Sequence, residues 1–201
     1  MGLQLIVVRH GETEWSRTGK HTGLTDIPLT EQGRAEALLA AETLQGWTLA
    51  RAYTSPLIRA KETAEVVAPE CGVEVDSSLV EWDYGRYEGE STAETRKTIP
   101  DWSVWTHEIH DGESIEEVGA RADVFLGRVN TEVENGNAVV FAHGHLLAIL
   151  IARWCGLDPA DGRHFPLATA TASLLGSHRD DPVIRTLNHR VGSVLNPPTR
   201  T

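Results

Sequence analysis

Three short polar segments each follow an apolar run, and together they hold the side chains best suited to chemistry. They are Arg9-His10-Gly11 after residues 5–8, Ser55 to Arg59 after residues 51–54, and His143-Gly144-His145 after residues 138–142. Each segment is a predicted turn from a strand into a helix. Ligands of open parallel sheets lie beyond the carboxyl ends of the strands, and helix N-termini offer free N–H groups to anions. The two arginines and the histidines that meet there predict a site for an anionic group such as a phosphate.

The overall charge of the chain favours a small, local anion site. The formal net charge is −11, with a pI near 5.2. Nucleic-acid binding requires a basic face, so we expect no nucleic-acid partner. An acidic chain also repels anionic substrates at long range, and a phosphate would therefore need a local cluster of cations.

Composition also limits where the protein is expected to work. No apolar run approaches the ~20 residues of a membrane span, and the first residues lack the apolar segment of a signal peptide. The two cysteines, Cys71 and Cys155, form no CxxC pair and indicate a reducing compartment. We therefore expect a cytoplasmic protein that does not bind a membrane.

Apolar runs that alternate with amphipathic segments predict an α/β fold. The predicted strands cover residues 5–8, 51–54, 73–75 and 138–142, and residues 172–176 and 183–187 predict a hairpin. Runs that are apolar on both faces are typical of parallel strands covered by helices on both sides. The sequence therefore predicts a three-layer α/β/α sandwich, with a mainly parallel sheet and a C-terminal antiparallel hairpin. We expect a single domain over residues 1–195 and a frayed tail over residues 196–201.

Capping residues predict where the helices begin. Thr30 is expected to cap a helix that ends near Gly46, and Ser55 followed by Pro56 predicts the start of the next helix. In the first of these helices, the apolar positions expected to face the core are Ala35, Leu38, Leu39 and Leu44. The remaining predictions are two short helices between residues 92 and 107, a capping box at residues 114–117 that opens a helix to residue 133, and a helix over 144–154.

The sequence resembles the histidine phosphatase superfamily, which includes cofactor-dependent phosphoglycerate mutases and acid phosphatases. The resemblance rests on blocks in family order: Arg9-His10-Gly11-Glu12-Thr13 with Trp15, Thr22-Gly23, Leu29-Thr30 to Gly33, Thr54 to Ala60 with Thr63-Ala64, Glu81 before Tyr84-Gly85 and Glu88-Gly89, and His143-Gly144-His145. Residues 81–85 and 141–145 are similar to a branch of acid and sugar phosphatases that includes sedoheptulose-bisphosphatase-like members. The resemblance implies the phosphoglycerate mutase-like version of the predicted fold.

The resemblance also implies a reaction. The enzyme would hydrolyse phosphomonoesters of small metabolites, sugar phosphates above all, through a phosphohistidine and without a cofactor or metal. His10 would attack phosphorus through a neutral ring nitrogen while its other nitrogen donates to a nearby carbonyl. Arg9, Arg59 and His143 would hold the phosphoryl oxygens. Glu81 would protonate the leaving alkoxide and then take a proton from the water that hydrolyses phosphohistidine.

Further positions match family contacts to the phosphoryl group or to the rest of the substrate, namely Ser16, Thr22, Gly23, Gly144 and His145. For the last two, the expected contact is a backbone N–H at the helix N-terminus. Relatives often carry Asn in place of Ser16, which is a shorter donor. Many also carry Arg in place of Ala148, a loss we expect to affect packing or interface contacts. The resemblance leaves a homodimer open as the assembly.

Aromatic and histidine side chains outside these positions have less specific interpretations. Tyr84 either rims the pocket or packs in the core. We expect the tryptophans to lie mainly in the core, with Trp82 the best candidate for the pocket because it follows Glu81; the others considered are Trp15, Trp102 and Trp105. The remaining histidines are expected at the surface or rim, namely His21, His107 and His110.

Three other functions remain open. A metallohydrolase would use His143 and His145, which share a face if both lie on a strand, although no further ligands occur at metal spacing. A non-catalytic relative would lack His10, Glu81 or an arginine, and none of these is missing. A phosphoglycerate mutase would need extra cations for a carboxylate and a second phosphate. Only scattered basic residues lie between positions 81 and 143.

Overall fold

The computed structural model describes residues 2–68, 70, 72–133 and 136–190. Within these residues one sheet contains six strands: β1 Gln4–Arg9, β2 Arg51–Thr54, β3 Val73–Val75, β4 Asn137–Ala142, β5 Ala172–His178 and β6 Asp181–His189. The strand order is β3-β2-β4-β1-β5-β6. The first four strands of that order are parallel, whereas β5 is antiparallel to β1 and to β6. The predicted sheet and its C-terminal hairpin are confirmed.

Helices cover both faces of this sheet and complete the three predicted layers. They are α1 Glu14–Thr18, α2 Glu31–Thr43, α3 Ile58–Val67, α4 Thr92–Thr95, α5 Ile115–Glu132 and α6 Gly144–Trp154. Alternate residues of a strand point to opposite faces. Accordingly, Leu5 and Val7 of β1 join the core formed with α5 and α6, while Ile6 and Val8 join the core formed with α2 and α3.

Helix α2 is rotated relative to the prediction. Thr30 caps it as expected, accepting a hydrogen bond from the Gly33 N–H, but Leu38 and Leu39 are 62% and 43% exposed. The buried face instead contains Gly33, Ala37, Ala40 and Thr43. A Cβ on Gly33 would lie 2.1 Å from the Glu12 carbonyl oxygen. The close backbone contact at Gly33 sets the rotation of the helix, so Ala35, Leu38 and Leu39 face outward. Leu44, directly after the helix, is buried as predicted.

Helix α3 begins at Ile58, so the prediction that Ser55 caps it and Pro56 opens it is wrong. The Ile58 N–H donates to the Asp26 carboxylate, 2.6 Å away, and the cap thus comes from a distant loop. Ser55 has another role, because its hydroxyl contacts His143.

Two of the remaining helical regions agree with the sequence and two differ. Helix α1 forms over residues 14–18, where no helix was predicted. The Ser114–Glu117 capping box is present, and α6 has the predicted bounds. Only α4 forms between residues 92 and 107, where two helices were expected; turns follow it. Among the described residues, no helix is long and apolar enough to cross a bilayer. The predicted domain limit at residue 195 and the tail over 196–201 lie outside the described residues.

Candidate active site

His10 lies directly after β1 and is oriented by its own neighbour. Its Nδ1 is 2.7 Å from the Gly11 carbonyl oxygen, as predicted. Because a carbonyl only accepts, Nδ1 must carry the proton and the lone pair must lie on Nε2. Burial, with Arg9 and Arg59 nearby, holds the pKa of His10 well below 6.5. The ring is therefore neutral and can act as a nucleophile.

Glycines allow the chain to bring His10 into this position. A Cβ on Gly11 would lie 2.3 Å from the Gly33 carbonyl oxygen, far inside contact distance. The His10 N–H donates to the Ala142 carbonyl at 3.0 Å, which continues the β1–β4 ladder past the end of the strand. The His10 backbone is thus fixed both by the sheet and by the α2 N-terminus.

His143 caps α6 and packs behind the nucleophile. Its ring centroid is 5.3 Å from that of His10, and the side chain is fully buried. The Arg59 Nε donates to His143 Nδ1 at 3.1 Å, so the His143 proton must be on Nε2, which lies 2.8 Å from the Ser55 hydroxyl. Burial lowers the pKa of His143 well below 6.5, with Arg59 adding to the effect. His143 is therefore a neutral group held in one tautomer.

Arg59 anchors the loop that follows α1. Its guanidinium donates to the carbonyls of Thr22, Gly23 and Thr25 at 2.8–3.1 Å. The backbone N–H groups of the same loop are also bound, because the Glu88 carboxylate accepts from those of Gly23 and Thr25. Burial lowers the pKa of Arg59. The residue is fully buried and, like His143 and Gly23, is not part of the cavity wall.

Glu81 connects the cavity to the N-terminus of α6. One carboxylate oxygen accepts from the N–H groups of Trp82 and Leu146, at 2.9 and 2.8 Å. The other oxygen accepts from the His145 N–H at 3.0 Å. The carboxylate is thus placed at the positive end of the helix dipole. The His145 N–H, which was expected to bind substrate, binds Glu81 instead. Of the two residues expected to offer an N–H to substrate at the helix start, only Gly144 remains, and it lines the cavity.

A cavity of about 360 Å³ lies at this carboxyl edge of the sheet. The predicted site residues that line it are Arg9, His10, Ser16, Thr22, Glu81, Gly144 and His145. Ser16 and Thr22 use their hydroxyls locally, in the α1 capping box and on the Lys20 carbonyl. The structure therefore brings together seven of the ten predicted residues, with Arg59, Gly23 and His143 behind the wall.

Arg9 provides a positive charge in the cavity wall beside His10. Its Nη1 donates to the Leu167 carbonyl, whereas its buried Nε has no hydrogen-bond partner among the described residues. The guanidinium lies beside Gly144, where a Cβ would be 3.2 Å from its central carbon. Burial lowers the pKa of Arg9, and Glu81 opposes that shift. The guanidinium thus places a positive charge next to the helix N-terminus, where an anion would bind.

Several wall residues were missed or misjudged from the sequence. Trp105 lines the cavity, whereas Trp82, expected to be the best pocket candidate, is buried and donates to the Glu113 carbonyl. His21, expected at the surface or rim, is 8% exposed, and burial lowers its pKa to about 4. The other wall residues outside the predicted site set include Lys20, Tyr84 and Arg163. No local signal marks Trp105 or Arg163, because each reaches the cavity through tertiary packing.

The metallohydrolase interpretation required His143 and His145 to lie on one strand, which is wrong. Strand β4 ends at Ala142, so His143 and His145 lie at the start of α6 and not on alternate strand positions. Both His143 nitrogens and His145 Nδ1 already have protein partners. Within the described ranges, no three His, Cys, Asp or Glu side chains are grouped closely enough to hold a metal.

A buried neutral histidine among guanidinium groups, at the carboxyl edge of a three-layer sheet, defines a class of phosphoryl-transfer enzymes. The chain belongs to the histidine phosphatase superfamily (branch 1), whose family model matches residues 5–190. The resemblance found in the sequence is thereby confirmed, as is the interpretation that the protein is an enzyme.

Curated relatives include phosphatases and mutases. The chain is 38% identical over 175 residues to an acid phosphatase of Mycobacterium tuberculosis, covering 86% of each chain. It is 35% identical over 183 residues to sedoheptulose 1,7-bisphosphatase of Saccharomyces cerevisiae, covering 76% of this chain and 67% of the relative. A 2,3-bisphosphoglycerate-dependent phosphoglycerate mutase of Gloeobacter violaceus is 33% identical over 168 residues, with 77% of each chain covered.

Solved structures show the same fold. The structure of an open reading frame product of Mycobacterium tuberculosis matches with a TM-score of 0.89 at 35% identity, covering 94% of this chain and 99% of that one. A mycobacterial glucosyl-3-phosphoglycerate phosphatase, solved with VO3, matches with a TM-score of 0.84 at 27% identity, covering 92% and 98%. The predicted phosphoglycerate mutase-like fold is thus confirmed.

Proposed function

We propose that the protein hydrolyses the phosphomonoester of a small phosphorylated metabolite in two steps, through a phosphohistidine on His10. The observation that carries the proposal is the fixed tautomer of His10, whose protonated Nδ1 is held by Gly11. A neutral ring with a lone pair on Nε2, in the wall of a cavity, is the arrangement needed for attack on phosphorus.

In the first step, His10 Nε2 forms a bond to phosphorus while the ester P–O bond breaks. Arg9 neutralises charge on the phosphoryl oxygens, and Glu81 gives its proton to the leaving alkoxide. In the second step, water attacks phosphorus, its proton passes to Glu81, and the P–N bond breaks to release phosphate. Arg59 supports both steps by fixing His143 and the loop at residues 22–25.

The size and surface of the cavity support a substrate with several carbon atoms. Its volume of about 360 Å³ is at the lower end for sites that bind small organic ligands. Trp105 and Leu167 add apolar surface beside the charged groups. The relatives named as phosphatases of sedoheptulose 1,7-bisphosphate and glucosyl-3-phosphoglycerate favour a sugar phosphate as the substrate class.

A phosphoglycerate mutase is the second candidate. The missing cations were the argument against it, but Lys20 and Arg163 both line the cavity, from outside the span between Glu81 and His143. A mutase would return the phosphoryl group to a substrate hydroxyl, whereas a phosphatase transfers it to water.

One experiment tests the intermediate and separates these candidates. Sugar phosphates, sugar bisphosphates and 3-phosphoglycerate should be assayed for both phosphate release and mutase product, with acid-free mass spectrometry of the peptide containing His10. We expect phosphate release to dominate, an acid-labile phosphate on that peptide, and loss of activity in His10→Ala. His178→Ala, at an exposed histidine, is the matched control. Activity retained in His10→Ala would refute the mechanism, and dominant mutase product would favour the second candidate.

A further inference from the structure

The His145 imidazole has a position that the proposed reaction does not use. Its backbone N–H is bonded to Glu81, but its side chain lines the cavity. His145 Nδ1 shares a short hydrogen bond with the Tyr84 hydroxyl. Its Nε2 makes no hydrogen bond to any described residue, so one ring nitrogen remains available to a ligand.

Burial of Tyr84 decides which atom carries the proton. Tyr84 is 2% exposed, and His145 Nδ1 is its hydroxyl's only hydrogen-bond partner among the described residues. If Nδ1 were protonated, the buried O–H would have no acceptor, an arrangement that folded proteins rarely tolerate. Burial also raises the pKa of Tyr84 and lowers that of His145, so both groups are neutral. The hydroxyl therefore donates to Nδ1, and Nε2 presents an N–H.

The surroundings of this donor resemble a site for a carbon skeleton with hydroxyls. The Trp105 ring meets the His145 ring edge to face, with centroids 5.1 Å apart, and Trp105 is packed against Gly162, where a Cβ would lie 3.0 Å from the indole. Apolar surface beside a few fixed polar groups is typical of small-molecule sites. The His145 backbone N–H binds the Glu81 carboxylate, and Glu81 also acts electrostatically on the imidazole, so the ring lies near the group that would protonate the ester oxygen. The substrate atoms nearest to it belong to the leaving alcohol.

We propose that the Nε2–H of His145, oriented by Tyr84, donates a hydrogen bond to a hydroxyl of the leaving alcohol. This contact makes the enzyme select polyol and sugar phosphates over simple alkyl phosphates. Tyr84 is a positioning residue that sets the His145 tautomer. The inference rests on the proposed phosphatase function and adds its leaving-group specificity.

The test compares glycerol 3-phosphate with n-propyl phosphate, which have the same carbon chain and differ in hydroxyls. One hydrogen bond gives a preference of about tenfold in kcat/KM. We expect His145→Ala to bring this ratio close to one, and Tyr84→Phe to lower it severalfold because both tautomers then become accessible. His145→Gln, which keeps an N–H donor, should retain part of the preference. Tyr87→Phe is the matched control, since Tyr87 is buried but does not line the cavity, and should leave the ratio unchanged.

Activity on p-nitrophenyl phosphate keeps this inference distinct from the proposed function. A wild-type enzyme that cleaves p-nitrophenyl phosphate but shows no preference for glycerol 3-phosphate would overturn the inference alone. A ratio that survives in His145→Ala would do the same. A wild-type enzyme inactive on all three esters would overturn the proposed function. Should His145→Ala fail to fold by circular dichroism, Tyr84→Phe and His145→Gln decide the matter through the same ratio.

Discussion

Replacing Glu81 with Gln separates its chemical role from its structural one. The substitution keeps the size of the side chain but removes the proton that the leaving alkoxide would take. It also replaces one carboxylate oxygen, which accepts hydrogen bonds, with an NH₂ group, which donates them. Because the carboxylate accepts from the N–H groups of Trp82, His145 and Leu146, the amide must leave at least one of them facing an NH₂ group.

Both effects have magnitudes that follow from these contacts. A buried donor without an acceptor costs about 1–3 kcal/mol, and loss of a negative charge at the α6 N-terminus costs about 0.3–2 kcal/mol. We therefore expect the free energy of unfolding to fall by about 1–5 kcal/mol. General acid catalysis contributes about 10²–10⁴-fold, so the hydrolysis of a sugar phosphate should slow by that factor. Hydrolysis of p-nitrophenyl phosphate should slow far less, because its phenolate leaves without help.

The assay measures kcat on both esters, together with urea unfolding. Glu88→Gln is the matched control, since the Glu88 carboxylate also accepts backbone N–H groups but does not line the cavity. It should lose stability while keeping the ratio of the two rates. An equal loss on both esters in Glu81→Gln would show that Glu81 does not protonate the leaving group. No loss on either ester would remove it from the mechanism.

Three other outcomes are expected. Chelation should leave kcat unchanged while vanadate inhibits, because side-chain cations already stabilise the phosphoryl charge; activity restored by added Zn²⁺ would contradict this. Gly11→Ala should cost about 1–3 kcal/mol and lower kcat, since its Cβ would lie 2.3 Å from the Gly33 carbonyl oxygen, whereas Gly127→Ala has open space and should not destabilise. The free energy of unfolding should fall as the pH drops below 6.5, by up to about 1.4 kcal/mol per pH unit for each buried histidine. The unfolded state binds more protons there, because the folded pKa is lowered for His10, His21, His143 and His145; constant stability between pH 6.5 and 5 would refute this reasoning.

Features that depend on local sequence were predictable. The strands β1 and β4 are apolar runs buried on both faces, and the Ser114–Glu117 capping box opens α5 as expected. The position of His10 directly after a buried strand could be predicted from the sequence, whereas the contact of its ring with a nearby carbonyl was implied by the family resemblance. The three segments that follow parallel strands converge because those strands end at the same edge of the sheet.

Features set by distant partners were not predictable. The face that α2 buries depends on the contact of Gly33 with Glu12, which no helical periodicity reveals. The start of α3 depends on Asp26, 32 residues earlier in the chain. Trp105 and Arg163 reach the cavity through the packing of segments that carry no motif. In each case the deciding interaction joins residues far apart in sequence.

The placement of Arg59 explains how an acidic chain maintains a site for an anion. Its guanidinium is bonded to carbonyl oxygens and to His143, and among the described residues no carboxylate forms a salt bridge with it or with Arg9. Carbonyl oxygens satisfy the donors without neutralising the charge, so a positive potential persists around His10. That potential helps to lower the pKa of His10 and keeps the nucleophile unprotonated. A bound phosphoryl dianion would supply the negative charge that these guanidinium groups lack. A carboxylate paired with them would instead cancel the positive potential, on which both phosphate binding and the nucleophilicity of His10 depend.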